Sequence, residues 1–133
     1  SRCQVDDQLS FYESKLAFEI DSFDLNELRM TNAAVVVIDA RSAAAYEREH
    51  IPGAISLPHR EINADTTTTF DRSALYITYC DGIGCNASTK GALALSRLRF
   101  RVKELVGGVE WWKRDGFPTT GGKGAGNSSC GCG

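Results

Sequence analysis

The segment Tyr79-Cys80-Asp81-Gly82-Ile83-Gly84-Cys85-Asn86 holds the residues best suited to chemistry in this chain. It follows the β-branched and aromatic run Leu75-Tyr76-Ile77-Thr78-Tyr79, which reads as a buried strand. A helix is expected beyond Asn86, through a segment carrying Ala92, Leu93, Leu95 and Leu98. Cys80 therefore stands at the carboxyl end of a strand, where open α/β sheets bind ligands. The backbone N–H groups of a glycine loop can turn inward as an anion cradle, and the helix start adds positive potential. A thiol held there is expected to have a lowered pKa and to react as the thiolate. Sulfur, phosphoryl and arsenate chemistry all begin from oxyanions that such a cradle would hold. Cys85 is expected to face the core as a small hydrophobe, with a reactive partnership with Cys80 as the alternative. A metal site at Cys80 and Cys85 is not expected, because the spacing is too wide for paired thiolates and no His pair follows.

The elements that must position this loop can be traced along the chain. Val35-Val36-Val37-Ile38 reads as a second buried strand, and neither run alternates cleanly, as suits a parallel sheet covered on both faces. Ala17-Phe18-Glu19-Ile20, Ala54-Ile55-Ser56-Leu57 and Val102-Lys103-Glu104-Leu105-Val106 are weaker strand candidates. Leu9, Tyr12 and Leu16 share a helical face near the start. Ser42 can cap a helix through Ala43-Ala44-Ala45-Tyr46-Glu47, and Gly108 precedes a last short helix carrying Trp111 and Trp112. Adjacent tryptophans cannot share one side of a helix, so one belongs to the core and the other to a pocket wall or the surface. Alternating strands and helices over this length imply one α/β domain with a largely parallel sheet.

The bulk properties narrow the function classes. With 133 residues the chain can bury one core, and 42% apolar with 24% charged residues is ordinary globular composition. Seventeen acids against fifteen bases give a net charge of −2, so no nucleic-acid partner is expected. No apolar run approaches the roughly 18 residues of a membrane helix, and no secretory signal is read at the start. The five cysteines form no even, repeating framework, so a reducing, cytoplasmic setting is expected. Six of the 13 glycines fall in the closing GGKGAGNSSCGCG, which reads as a flexible tail bearing Cys130 and Cys132. That tail is long enough to visit a loop of a small domain and relay sulfur or electrons, although incidental thiols are the favoured reading.

Four segments together resemble the rhodanese family of sulfurtransferases. Val37-Ile38-Asp39-Ala40-Arg41 is similar to the family's strand ending in Asp-x-Arg. Tyr46 followed by His50-Ile51-Pro52-Gly53-Ala54-Ile55-Ser56-Leu57-Pro58 resembles its signature before the middle strand. Tyr79-Cys80 opens what resembles the active-site loop, and Leu105-Val106-Gly107-Gly108-Val109-Glu110-Trp111-Trp112 with Gly116-Phe117-Pro118 resembles the C-terminal signature.

The resemblance implies a three-layer rhodanese-like domain, with a largely parallel five-stranded sheet flanked by helices. Residues 35–119 would be that core, 1–34 a helical and strand segment packing on it, and 120–133 the tail. Cys80 would take a sulfane sulfur from thiosulfate or a persulfide and pass it to cyanide, a thiol or a sulfur-accepting protein, with no cofactor. The backbone of Asp81, Gly82, Ile83, Gly84, Cys85 and Asn86 would cradle the anion, with Asp39 and Arg41 beside it. A structural ion pair is an equal expectation for Asp39 and Arg41. His50 is expected to pack or cap the turn at Pro52, and His59-Arg60 to form a solvated turn. Where many rhodaneses place an Arg after the loop, this chain has Cys85 and Asn86, and Asp81 adds a negative charge. Those departures point away from thiosulfate more than from persulfide chemistry, and they disfavour phosphatase or arsenate reductase activity. A thiol redox relay using Cys80 with Cys85, Cys130 or Cys132, and a non-catalytic docking module, are the alternatives.

Overall fold

Strand formation at the centre of the molecule follows from the two β-branched runs. In the computed structural model, which describes residues 2–32 and 34–121, Val35–Asp39 is β2 and Leu75–Tyr79 is β4. They pair in parallel from Val35 opposite Leu75 to Asp39 opposite Tyr79. On β4 the period of two sends Ile77 and Tyr79 to one face of the sheet and Tyr76 to the other. Both faces are covered, so both sets are buried, and the sequence shows a continuous apolar run instead of an alternation.

The remaining strands are β1 (Glu19–Ile20), β3 (Ile55–Ser56) and β5 (Arg101–Leu105), giving a five-stranded sheet in the order β1-β5-β4-β2-β3. All its pairings are parallel. One face packs Leu25 of α2 (Ser22–Thr31) with Val109 and Trp112 of α5 (Gly108–Arg114). The other packs Leu95 of α4 (Ala87–Arg97) with Tyr76 and Phe100. Helix α3 (Ala43–Arg48) starts where expected, with the Ser42 hydroxyl accepting from the Ala45 N–H at 3.2 Å. Trp112 is the core tryptophan, donating to the Pro118 carbonyl at 2.7 Å, while Trp111 is exposed under the Arg114 guanidinium. Among the described residues no helix is long and apolar enough to cross a membrane.

The N-terminal segment differs from expectation. Ala17 and Phe18 end a helix, α1 (Arg2–Phe18), and only Glu19–Ile20 join the sheet. Strand β1 and helix α2 pack on the domain, but α1 buries no residue, and Leu9, Tyr12 and Leu16 all lie exposed. The helix precedes an edge strand, where no further layer among the described residues covers its apolar face. The expected tail, with Cys130 and Cys132, lies outside the described residues.

Chain reversal after β5 fixes the loop that follows β4. Gly107 and Gly108 take φ of +84° and +61°, a region that L-residues adopt only with strain. They deliver α5 directly onto the loop, where the Val109 N–H donates to the Cys80 carbonyl at 3.0 Å and the Glu110 N–H to the Asp81 carbonyl at 2.9 Å. A Cβ on Gly108 would overlap the Cys80 carbonyl oxygen, whereas one on Gly84 (φ +98°) would meet nothing within 4 Å. Gly84→Ala therefore carries backbone strain alone, about 1–2 kcal/mol. Gly108→Ala adds the clash and should lower unfolding free energy by about 3 kcal/mol or more in urea titration.

Glu49 ties α3 to α5 and the segment after it, accepting from Lys113 Nζ at 2.9 Å and Thr119 Oγ1 at 2.7 Å. Partial burial opposes its charge, but these hydrogen bonds prevail and hold the carboxyl below its ordinary range. Its stabilisation is therefore complete above the unfolded carboxylate pKa of about 4.3 and is lost as pH falls through the lower folded value. Glu49→Gln should flatten that part of the acid limb of the stability curve, measured by thermal melts across pH.

Candidate functional site

Cys80 follows β4, the strand at which the sheet order reverses, with β2 on one side and β5 on the other. Ligand crevices in open α/β sheets open at that point. Here the crevice is a cleft of about 180 Å³ lined by Cys80, Gly82, Ile83, Gly84 and Cys85 of the loop. Across from them stand Lys15 and Glu19 of the N-terminal segment, Ser88 of α4, and residues 104–108. The volume falls well below the roughly 300–1,000 Å³ of ordinary organic-ligand pockets and suits a small anion or thiol.

The loop geometry bears on its charge. Each peptide is planar with its N–H opposite its C=O, so tying the Cys80 and Asp81 carbonyls to α5 turns the Asp81 and Gly82 N–H groups away from that helix. The Cys85 N–H closes a turn on the Gly82 carbonyl at 3.2 Å. The N–H groups of Gly82, Ile83, Gly84 and Asn86 donate to no acceptor among the described residues. Asn86 occupies the N-cap position of α4 without a side-chain capping hydrogen bond.

One expectation about the cysteines is corrected. Cys80 is joined to Cys85 in a disulfide, with the Cα atoms 6.2 Å apart, the partnership given above as the alternative for Cys85. Cys85 does not face the core. It is exposed, because the turn from Gly82 carries it outward at the cleft mouth, while Cys80 stays 2% exposed.

Asp39 and Arg41 form a structural network. Arg41 Nε and Nη2 donate to the two oxygens of Asp39 at 2.9 and 2.6 Å, and Nη1 donates to Asp81 at 2.9 Å. The same guanidinium reaches the Glu49 carbonyl at 2.6 Å, and Tyr79 donates its hydroxyl proton to Asp39 at 2.8 Å. Asp39 is wholly buried and the Arg41 side chain is 9% exposed, so the guanidinium is spent on holding β2, α3 and the loop together. Burial disfavours the Arg41 charge, but Asp39 and Asp81 outweigh it and raise its pKa further. Burial, then Asp39, pushes the Tyr79 phenol up, keeping it a donor. Asp39, Arg41, Asp81 and Asn86 are not among the residues lining the cleft. The Asp81 charge that would oppose an incoming anion is instead paired with Arg41.

His50 stacks on Tyr46 with centroids 3.6 Å apart, and its Nδ1 lies 2.7 Å from the Tyr46 carbonyl, so it packs the turn as expected. His59 sits in a 3₁₀ turn, His59–Glu61, and its pKa is lowered by burial, then by Lys90 and Arg60.

Three charged residues in the cleft carry no sequence signal. Lys15 pairs with Glu19 at 2.9 Å and is raised in pKa by it. Glu104 accepts from Ser88 and Thr89 at 2.9 and 2.5 Å, which sets a carboxylate against the first turn of α4. The positive end of α4 is thereby partly neutralised, and Lys15 is the cation that lines the cleft among the described residues. Among the described residues no group of His, Cys, Asp and Glu side chains is placed to hold a metal ion.

Removing the Arg41 charge would strand a wholly buried Asp39. Arg41→Met should destabilise by about 3–5 kcal/mol, read as the shift in urea midpoint. A guanidinium that merely touched substrate would instead raise KM and leave the midpoint in place.

The family model for the rhodanese-like domain matches residues 24–115. It begins in α2, earlier than the expected core boundary at 35. The BH2092 protein from Bacillus halodurans has a similar crystal structure, with a TM-score of 0.81 and 40% identity over 87% of this chain and 85% of that one. A tRNA sulfurtransferase from Thermoplasma acidophilum is 29% identical over 99 residues, 68% of this chain and 19% of that protein. An HTH-type transcriptional regulator from Mycobacterium tuberculosis, Rv0324, is 33% identical over 85 residues, 63% of this chain and 37% of that protein. The chain thus spans well under half the length of these curated relatives.

Proposed function

This chain belongs to the rhodanese-like domain family, and from that premise we propose that it is a sulfurtransferase working through a persulfide on Cys80. The carrying observation is that Cys80 lines a small cleft together with a loop whose N–H groups donate to no acceptor among the described residues. The reduced thiolate attacks the outer sulfur of a donor such as thiosulfate or an organic persulfide. The S–S bond of the donor breaks, and sulfite or a thiolate leaves with the electron pair. The sulfane sulfur, now bonded to Cys80 Sγ, carries the negative charge that the loop N–H groups hold. A thiol or cyanide then attacks that sulfur and frees Cys80. Dividing the transfer in two in this way is ordinary covalent catalysis.

With Arg41 engaged by Asp39, the charge that meets the donor is that of Lys15, itself paired with Glu19. A singly charged organic persulfide is therefore favoured over dianionic thiosulfate. The disulfide favours a second reading, a dithiol–disulfide oxidoreductase that moves electrons without sulfur.

Intact-mass analysis of the reduced protein separates the two. Because Cys85 competes for Cys80, the persulfide is best trapped in Cys85→Ser. That variant should gain ~32 Da from a sulfane donor and lose it to cyanide, while Cys80→Ser gains nothing. If neither thiosulfate nor an organic persulfide labels Cys80, the sulfurtransferase reading fails and the oxidoreductase reading takes its place.

A further inference from the structure

Building on the persulfide reading above, we propose that Cys85 is the resolving thiol: it discharges the Cys80 persulfide as hydrosulfide and closes the Cys80–Cys85 disulfide. The two cysteines are five positions apart, and their Cα separation of 6.2 Å lies within the ordinary bridging range. The turn that brings them together is local to the loop. It is closed by the Cys85 N–H on the Gly82 carbonyl and opened outward at Gly84, whose φ is +98°. No other element has to move for the sulfurs to meet.

A staple is the other use of such a bond, and it fits poorly. Closing so short a loop removes little chain entropy compared with a long one. The loop is also already fixed, by α5 on the Cys80 and Asp81 carbonyls and by Arg41 on Asp81. The bond adds little order to a segment held at both of these points, whereas it occupies the sulfur that the transfer reaction needs.

The chemistry balances without an external oxidant. The Cys85 thiolate attacks Cys80 Sγ; the Sγ–Sγ bond forms as the bond from Cys80 Sγ to the sulfane sulfur breaks. The electron pair leaves on the sulfane sulfur, which departs as hydrosulfide with the proton that the Cys85 thiol gave up on forming its thiolate. The sulfane sulfur gains two electrons and the two cysteines lose them. An external dithiol then reopens the disulfide, supplying two electrons and two protons and leaving as its own disulfide. Access decides which sulfur it attacks: Cys85 is exposed and Cys80 is 2% exposed. Attack on Cys85 expels Cys80 as the thiolate, ready for the next donor. The acceptor of this site is thus a dithiol reductant, and the oxidised protein takes no sulfur until reduced.

The test uses the full chain, reduced, freed of reductant and held without oxygen in excess thiosulfate, then separately in an organic persulfide. Wild type should release about one hydrosulfide per chain and end ~2 Da lighter than the reduced protein, with the bridge mapped to Cys80 and Cys85. Cys85→Ser should keep ~32 Da and release hydrosulfide at least ~10-fold more slowly, and Cys85→Ala should match it. Equal discharge by wild type and both variants would overturn the proposal. So would a wild-type persulfide as lasting as that of the variants, or a bridge from Cys80 to Cys3, Cys130 or Cys132. A Cys85→Ser protein that takes sulfur from neither donor would sink the persulfide reading itself, and this proposal with it.

Discussion

The backbone contact between α5 and the loop after β4 is the constraint on which the site depends. Two carbonyls, of Cys80 and Asp81, are taken by the Val109 and Glu110 N–H groups in the first turn of α5 at 3.0 and 2.9 Å. That contact is possible only where position 108 has no side chain. It fixes two consecutive peptide planes, and so fixes where their N–H groups point. Arg41 supplies a second tether from β2 through Asp81, and its charge is stabilised by a buried Asp39 that would otherwise be costly to hold. A loop anchored at both places is preorganised, so in the proposed reaction its dipoles would need no rearrangement when charge develops on a sulfur bound to Cys80.

The electrostatics of the cleft follow from the same economy. No guanidinium faces it, since the one nearby is engaged by two carboxylates and a carbonyl. Glu104 and Glu19 line the opposite wall, with Lys15 between charges. In the proposed reaction the stabilisation of the bound anionic sulfur would therefore fall on backbone N–H groups, which act at short range. Side-chain cations would attract a free dianion from a distance. Such a balance favours holding a sulfur already bonded to Cys80 over capturing a highly charged donor from solution.

Much of this was legible in the sequence where the signal is local. The runs at Val35 and Leu75 announce buried parallel strands, Ser42 announces its helix, and the strand–glycine loop–helix order places Cys80 at a strand end. What the sequence could not show depends on pairings over distance. Arg41 and Asp81 are 40 positions apart, and nothing in either segment says that one neutralises the other. Lys15 enters the cleft from a helix whose apolar residues suggested packing, yet α1 lies at the sheet edge and stays uncovered. Cys85 was expected inward by residue type, and the turn at Gly82 and Gly84 sends it outward. Side-chain direction in an irregular loop has no periodicity from which to be read.

The central claim is that the loop backbone holds the charge of a sulfur bound to Cys80. Amide ¹H–¹⁵N spectra of reduced Cys85→Ser protein, before and after loading with a sulfane donor, test it most directly. The account predicts downfield shifts of the Gly82, Ile83, Gly84 and Asn86 amide protons on loading, reversed when cyanide removes the sulfur. A protein shown by mass to carry the sulfur, with those amides unmoved, would contradict it.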